Sequence, residues 1–253
     1  MATWTPAALS SEARALSGRC WRLVEAQHVA STLKLVDTLA EQDILERLLE
    51  ERKPPVPPEC RDLHYLLSTP FRYGAPYPHG SRFRRAGLTP GVFYASQTVT
   101  TAVAEMAFAR LLFFAESPGT PWPVNASEHT AFSARFKTSK GLDLTGAPFT
   151  EDADRWLHPS DYSACHALAD AARTAGVQAL RYRSARDPGG GRNVALLTCS
   201  AFSSHAPIER QTWRLHLDDA GVRAICGFPA QRLAFPRAVF RNDPRIAAPR
   251  REH

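Results

Sequence analysis

The sequence offers little from which a membrane anchor, a metal cage or a disulfide framework could be built. Its longest apolar run is Leu111 to Ala115, against the roughly 20 residues a helix needs to cross a bilayer. The amino terminus lacks the basic, apolar and small-residue succession of a secretion signal, so a soluble, cytoplasmic protein is expected. Five cysteines (Cys20, Cys60, Cys165, Cys199 and Cys226) are scattered, odd in number and without CxxC spacing. Neither a zinc site nor a disulfide framework is expected from them. The nine histidines stand at no metal-ligand spacing beside another ligand. There is no HExxH, no GxxxxGK[ST], no GxGxxG after a strand and no GxSxG. Zincins, P-loop hydrolases, dinucleotide-binding dehydrogenases and serine hydrolases of the α/β type are thereby disfavoured. Gly189-Gly190-Gly191 reads as a turn between strands.

What remains is ordinary globular material. A chain of 253 residues, 44% hydrophobic and 22% charged, supports one well-buried core or two small domains. A net charge of +6 admits an anionic partner: nucleic acid, a dinucleotide or an acidic protein. Arginines concentrate at Arg82, Arg84 and Arg85 and again after Arg232, though such runs are more often a solvated basic face than a partner site.

Along the chain, residues 1–19 read as a short helix or loose arm and 20–28 as a strand. Thr38-Leu39-Ala40-Glu41 has the capping-box pattern and precedes a helix whose apolar face carries Ile44, Leu45, Leu48 and Leu49. The proline run that follows stops it. Residues 91–95 form a short buried strand, after which Ser96 and Thr98 are candidate N-caps for a helix carrying Val99, Val103, Met106 and Leu111. Strands are expected at 129–137, 141–144, 177–182 and 193–198, with a helix from Ser160 to about Thr174. A hairpin spans 212–228 around Asp218-Asp219-Ala220-Gly221. Interleaved short strands and helices argue an α+β fold with a mixed or split antiparallel sheet.

The stretch 71–110, FRYGAPYPHGSRFRRAGLTPGVFYASQTVTTAVAEMAFAR, organises the rest. Glu105 sits in the middle of an apolar helix. Burying an unpaired carboxylate costs several kcal/mol, so Glu105 pairs, protonates, faces a cleft or lies on the solvent side. Its phase beside Ala102 and Met106 favours the cleft.

Together the blocks GSRF, GVFYAS with AVAEMAFAR, and GVQALRYRSAR followed by GRNVALL resemble the RES domain family, named for an Arg, a Glu and a Ser. So do CWRLVEAQHVASTLKLVDTLAEQDILE and LLSTPFRY, and the resemblance covers most of residues 20–200. It implies an ADP-ribosyltransferase-like α+β fold, with a split mixed or antiparallel sheet and flanking helices. It divides the chain into an amino-terminal extension (1–60), a catalytic domain (61–230) and a basic tail (231–253). It further implies a toxin that degrades NAD+ by cleaving the nicotinamide–ribose bond, with water or phosphate as acceptor. No metal and no cofactor beyond NAD+ as substrate is expected. The implied partner is an Xre-like helix-turn-helix antitoxin, in a larger assembly or not, without direct nucleic-acid binding. A protein ADP-ribosyltransferase shares the first half of that reaction, and a non-catalytic basic binding module is the rival from another class.

On this resemblance Arg82, Glu105 and Ser184 are the catalytic candidates, and Arg72, Tyr94, Asn193 and Arg186 the substrate-binding ones. A carboxylate near the ribose C1′ stabilises the positive charge that develops there. Arginines suit a pyrophosphate through bidentate donation. Tyr94, eleven residues before Glu105, stacks on nicotinamide or orients the ribose. Ser184 supplies a hydroxyl and is not read as a nucleophile. Each has a structural alternative: Tyr94 as core, Ser184 as a turn cap, Arg72 paired with Glu25 or another acid. Arg84 and Arg85 depart from the spacing expected near GSRF.

Overall fold

The structure, a computed structural model, describes residues 4–26, 35–74, 80–87 and 89–247. Its elements run α1 (Pro6–Glu12), β1 (Arg14–Glu25), α2 (Leu39–Arg52), α3 (Tyr65–Arg72), β2 (Phe93–Ser96), α4 (Val99–Glu116) and β3 (Ser127–Asp143). Then follow α5 (Ala153–Leu157), α6 (Ser163–Thr174), β4 (Ala179–Arg183), β5 (Arg192–Leu196), β6 (Glu209–Asp218), β7 (Gly221–Cys226), β8 (Gln231–Pro236) and α7 (Pro244–Ala247). The class is α+β, as the interleaving of elements implies.

One eight-stranded mixed sheet has the order β1-β2-β5-β4-β3-β6-β7-β8. Because β1 also pairs with β3, the pairings close a ring β1-β2-β5-β4-β3, from which β6, β7 and β8 continue. Among the described strands only β3 and β4 run parallel. The two strands expected at 129–137 and 141–144 are a single long β3, held from Glu25↔His129 to Arg14↔Gly141 by β1. The expected short amino-terminal helix is α1, but from Arg14 the segment is already strand; the last residues of the expected 20–28 strand, Gln27 and His28, lie outside the described residues. Residues 231–236 form the outer strand β8. Between β1 and β2 the contact is a single register pair, Trp21↔Ser96, and at this thin seam the wall of the functional cavity begins.

Burial follows the alternation of strands and the apolar surface of α4. Val103, Phe108 and Leu111 of α4 pack with Trp213, Leu215 and Val222 of β6 and β7. Leu168 and Ala172 of α6 pack with Leu142, Leu180 and Ala195. Phe93, Phe132, Phe136 and Leu196 form a third cluster with Leu67. A helix apolar on nearly every side belongs in an interior, and α4 takes that place.

Three local expectations change. The capping box of α2 forms, with Thr38 Oγ1 accepting the Glu41 N–H and Glu41 Oε2 accepting the Thr38 N–H. Its apolar face is not buried, however: Ile44, Leu48 and Leu49 are exposed, and Gln42 is the buried residue. The helix after Ser160 begins only at Ser163, because Asp161 Oδ1 accepts the Ser163 N–H and draws residues 161–163 into a turn. Cys60 and Cys199 form a disulfide, with Cα atoms 5.5 Å apart across 139 positions of sequence. Scattered spacing concealed it, since only folding brings the short 3-10 turns Pro58–Cys60 and Cys199–Ala201 together. Cys20, Cys165 and Cys226 are free and buried. Among the described residues no helix is long and apolar enough to cross a membrane.

A cross-link closing so long a loop removes much of the unfolded chain's freedom, worth about 4–5 kcal/mol in the chain-entropy account. Replacing Cys60 and Cys199 by serine together is expected to lower the unfolding free energy by about 2–5 kcal/mol, as read by urea titration. Reducing agent should lower the wild type toward the variant and leave the variant unchanged.

Candidate active site

The cavity that matters lies between α4 and the β2–β5–β4 face, with a volume of about 430 Å³. Thr98, rather than Ser96, caps α4: its Oγ1 accepts the Thr101 N–H at 3.1 Å. About two turns further on, the half-buried Glu105 faces the cavity. Its Oε1 accepts two hydrogen bonds, from Ser184 Oγ at 2.6 Å and Asn193 Nδ2 at 2.5 Å. Each donor is itself fixed. Ser184 Oγ accepts the N–H groups of Arg186 and Asp187 at 3.0 and 2.9 Å, and Asn193 Oδ1 accepts from Ser96 Oγ at 2.7 Å. Among the described residues Oε2 has no hydrogen-bond partner, so one carboxylate oxygen is anchored and the other is available to a ligand.

The hairpin between β4 and β5 makes this clamp possible. The Ser184 N–H donates to the Gly191 carbonyl at 2.8 Å, and Asp187 Oδ2 accepts from both the Gly191 N–H and Thr101 Oγ1. A Cβ at position 191 would collide with Thr101 Oγ1 and Asp187 Oδ2, so a larger residue would displace the two side chains that tie the hairpin to the start of α4. The run Gly189-Gly190-Gly191 is a turn, as expected, with Gly190 at φ +70°.

Four arginines border the same space. Arg82 donates to the carbonyls of Trp156 and His158 and lies 4.8 Å from the Tyr162 ring centroid. Arg22, from β1, donates to the Tyr94 carbonyl at 2.8 Å and lies over Phe93. Burial pulls the Arg22 pKa down to about 10, which still leaves the guanidinium charged at neutral pH. Neither has a carboxylate partner among the described residues. Arg186 and Arg245 share one. Asp243 meets Arg186 Nη1 at 3.3 Å and is gripped by Arg245 through Nε at 2.9 Å and Nη2 at 2.8 Å. Arg186 also packs 3.8 Å from the Phe108 ring centroid and donates to Tyr162 Oη at 3.1 Å. Burial lowers its pKa. At Asp243 burial works to raise the pKa, but the hydrogen bonds and charge of Arg245, with help from Arg186, hold it below the usual carboxylate range.

Arg82, Tyr94, Glu105, Arg186 and Asn193 therefore line one cavity. Ser184 reaches it through Glu105 and borders an adjoining cavity of about 390 Å³. Arg72 is not brought there. It ends α3 with an ion pair to Glu50 at 2.6 Å and a hydrogen bond to the Pro54 carbonyl. Tyr94 has its hydroxyl committed, accepting from the Phe83 N–H and bonding Ser81 Oγ, each at 2.9 Å. Burial pushes its pKa up to about 12. Arg22, Tyr162, Tyr182 and Arg245 also line the cavity, and sequence reasoning did not select them. Arg22 and Tyr182 lie inside recognisable blocks, CWRLV and YRSAR, but nothing local distinguishes them from packing residues. Arg245 belongs to α7, far from every block.

A family model described as the RES domain matches residues 56–218. No curated protein matches the chain. Among solved structures, one titled as the crystal structure of the M. tuberculosis MbcT–MbcA toxin–antitoxin complex is similar at 14% identity. The alignment covers 93% of this chain and 96% of that one, with a TM-score of 0.46.

Replacing Asp243 by asparagine leaves the buried Arg186 guanidinium without its counter-charge and strips the half-buried Arg245 of its nearest one, and breaking a buried ion pair from one side costs about 3–5 kcal/mol. The Asp243 pKa is depressed in the folded state, so its contribution is complete above the ordinary carboxylate pKa of about 4 and is lost as pH falls further. The stability gap between wild type and Asp243→Asn should be full at pH 7 and narrower at pH 3, measured by urea unfolding at both.

Proposed function

Because the chain belongs to the RES domain family, we propose that it is an enzyme that cleaves the nicotinamide–ribose bond of NAD+, with water or phosphate as acceptor. The observation that carries this reading is Glu105 itself. One oxygen is held by two uncharged donors and, among the described residues, the other is free in a cavity bordered by two arginines without carboxylate partners.

As the glycosidic bond lengthens, nicotinamide departs with the bonding pair and positive charge grows at the ribose C1′ and ring oxygen. A carboxylate already oriented against that charge, or holding the ribose 2′-hydroxyl, needs no reorganisation when the charge appears. Groups of this kind are commonly worth around 3 kcal/mol, or about a hundredfold in rate. Ser184 and Asn193 act as positioning residues in this scheme. The Ser184 hydroxyl donates to the carboxylate and accepts two backbone N–H groups, an arrangement suited to orienting Glu105 rather than to attacking a substrate. Arg82 and Arg22 supply the cations that a pyrophosphate requires. The fold, on this reading, is of the ADP-ribosyltransferase type, and the physiological partner is an Xre-like antitoxin that covers the cavity.

Purified protein incubated with NAD+ should release nicotinamide, and Glu105→Ala should reduce the rate by about a hundredfold or more. ADP-ribose as co-product identifies water as the acceptor; a phosphorylated ADP-ribose, formed only in phosphate buffer, identifies phosphate. Folded wild type that releases no nicotinamide in either buffer would overturn the reading.

A further inference from the structure

Two tyrosines stand on the cavity face of the sheet, Tyr94 on β2 and Tyr182 on β4, separated by β5. Tyr94, as described, has spent its hydroxyl on Ser81 and the Phe83 N–H. Tyr182 is only 6% exposed and packs its ring edge-on against Phe83, with centroids 4.9 Å apart. Its hydroxyl makes no hydrogen bond among the described residues. Because Tyr182 lines the cavity, a hydroxyl left unpaired there is open to a ligand or water that satisfies it.

The strand register shows what that hydroxyl stands beside. Tyr182 is directly opposite Asn193, which is opposite Ser96, which is opposite Trp21. Residues directly opposite on paired strands present their side chains to the same face as nearest neighbours. Tyr182 is thus one position along the row from the amide that holds Glu105 Oε1. Burial, with the Glu105 charge adding to it, raises the phenol pKa well above its ordinary value, so at neutral pH the group is a proton donor.

We propose that Tyr182 is a further substrate-contacting residue, whose phenol binds the ribose 3′-hydroxyl vicinal to the 2′-hydroxyl held by the free oxygen of Glu105. This rests on the reading of the cavity as a site for NAD+ and adds to it a requirement for the intact cis-diol of the nicotinamide ribose. The carboxylate accepts from one hydroxyl, the phenol engages its neighbour, and the sugar is fixed with its C1′ toward Glu105.

Tyr182→Phe removes only the hydroxyl and keeps the ring against Phe83, so the variant should melt close to wild type. Its kcat/KM for NAD+ is expected to fall about ten- to a hundredfold. An NAD+ analogue lacking the 3′-hydroxyl on the nicotinamide ribose should be a correspondingly poor substrate for the wild type. The variant should turn over the analogue and NAD+ with similar efficiency, because the two deletions remove one interaction. The proposal is overturned if Tyr182→Phe cleaves NAD+ within twofold of wild type, or if both proteins lose the same factor on the analogue. Wild type that cleaves NAD+ while the variant shows no loss removes only this inference. Wild type that neither binds nor cleaves NAD+ removes the reading beneath it as well.

Discussion

A carboxylate set into an apolar helix that packs on a sheet must be given donors, and the rest of this site follows from how Glu105 obtains them. Both come from the β4–β5 hairpin, Ser184 at its start and Asn193 at its end, and neither carries a charge. An arginine in either place would have tied Glu105 into an ion pair and weakened its influence on a neighbouring cation. Neutral donors orient the group without cancelling it. The cost is passed to the hairpin, which must stay rigid. That explains why Asp187, Thr101 and Gly191 are joined so closely at the other end of the loop.

The arginines divide by the same logic. Arg186 and Arg245 have a buried aspartate between them and act largely within the protein, fixing α7 and the wall around Tyr162. Arg22 and Arg82 have backbone carbonyls and aromatic faces as partners. These hold a guanidinium in place while leaving its charge uncompensated. Keeping Arg22 buried is unfavourable enough to pull its pKa to about 10. Such an arrangement is most easily understood as one completed by an anionic ligand.

What could be read from the sequence was what short-range pattern encodes. Thr98 and the apolar run after it define α4, and Glu105 stands out because it breaks that run. Blocks such as YRSAR and GRNVALL then locate Ser184 and Asn193. Information carried only by long-range contact was not accessible. Whether Arg72 turns to a cavity or to Glu50 depends on α2, 22 positions earlier. Whether Tyr94 or Tyr182 has a free hydroxyl depends on the Ser81–Phe83 loop, which touches both rings' surroundings but hydrogen-bonds only the Tyr94 hydroxyl. The apolar face of α2 shows the converse failure. Its pattern is that of a packed helix, yet burial is a property of neighbours, and Ile44, Leu48 and Leu49 remain exposed.

The carboxyl-terminal segment illustrates how a site can depend on chain lying outside the motif that defines it. The family match ends at residue 218, and everything needed to clamp Glu105 lies before that point. Yet Arg186, inside the match, is oriented by Asp243, outside it. Asp243 in turn is gripped by Arg245, which lines the cavity. Strands β7 and β8 carry the chain back across the molecule, and α7 packs on α4, the helix that bears Glu105. The strands beyond the match therefore extend the core and also return a buried counter-ion to the site. The wall nearest Tyr162 thus depends on residues beyond the match, while the clamp on Glu105 does not.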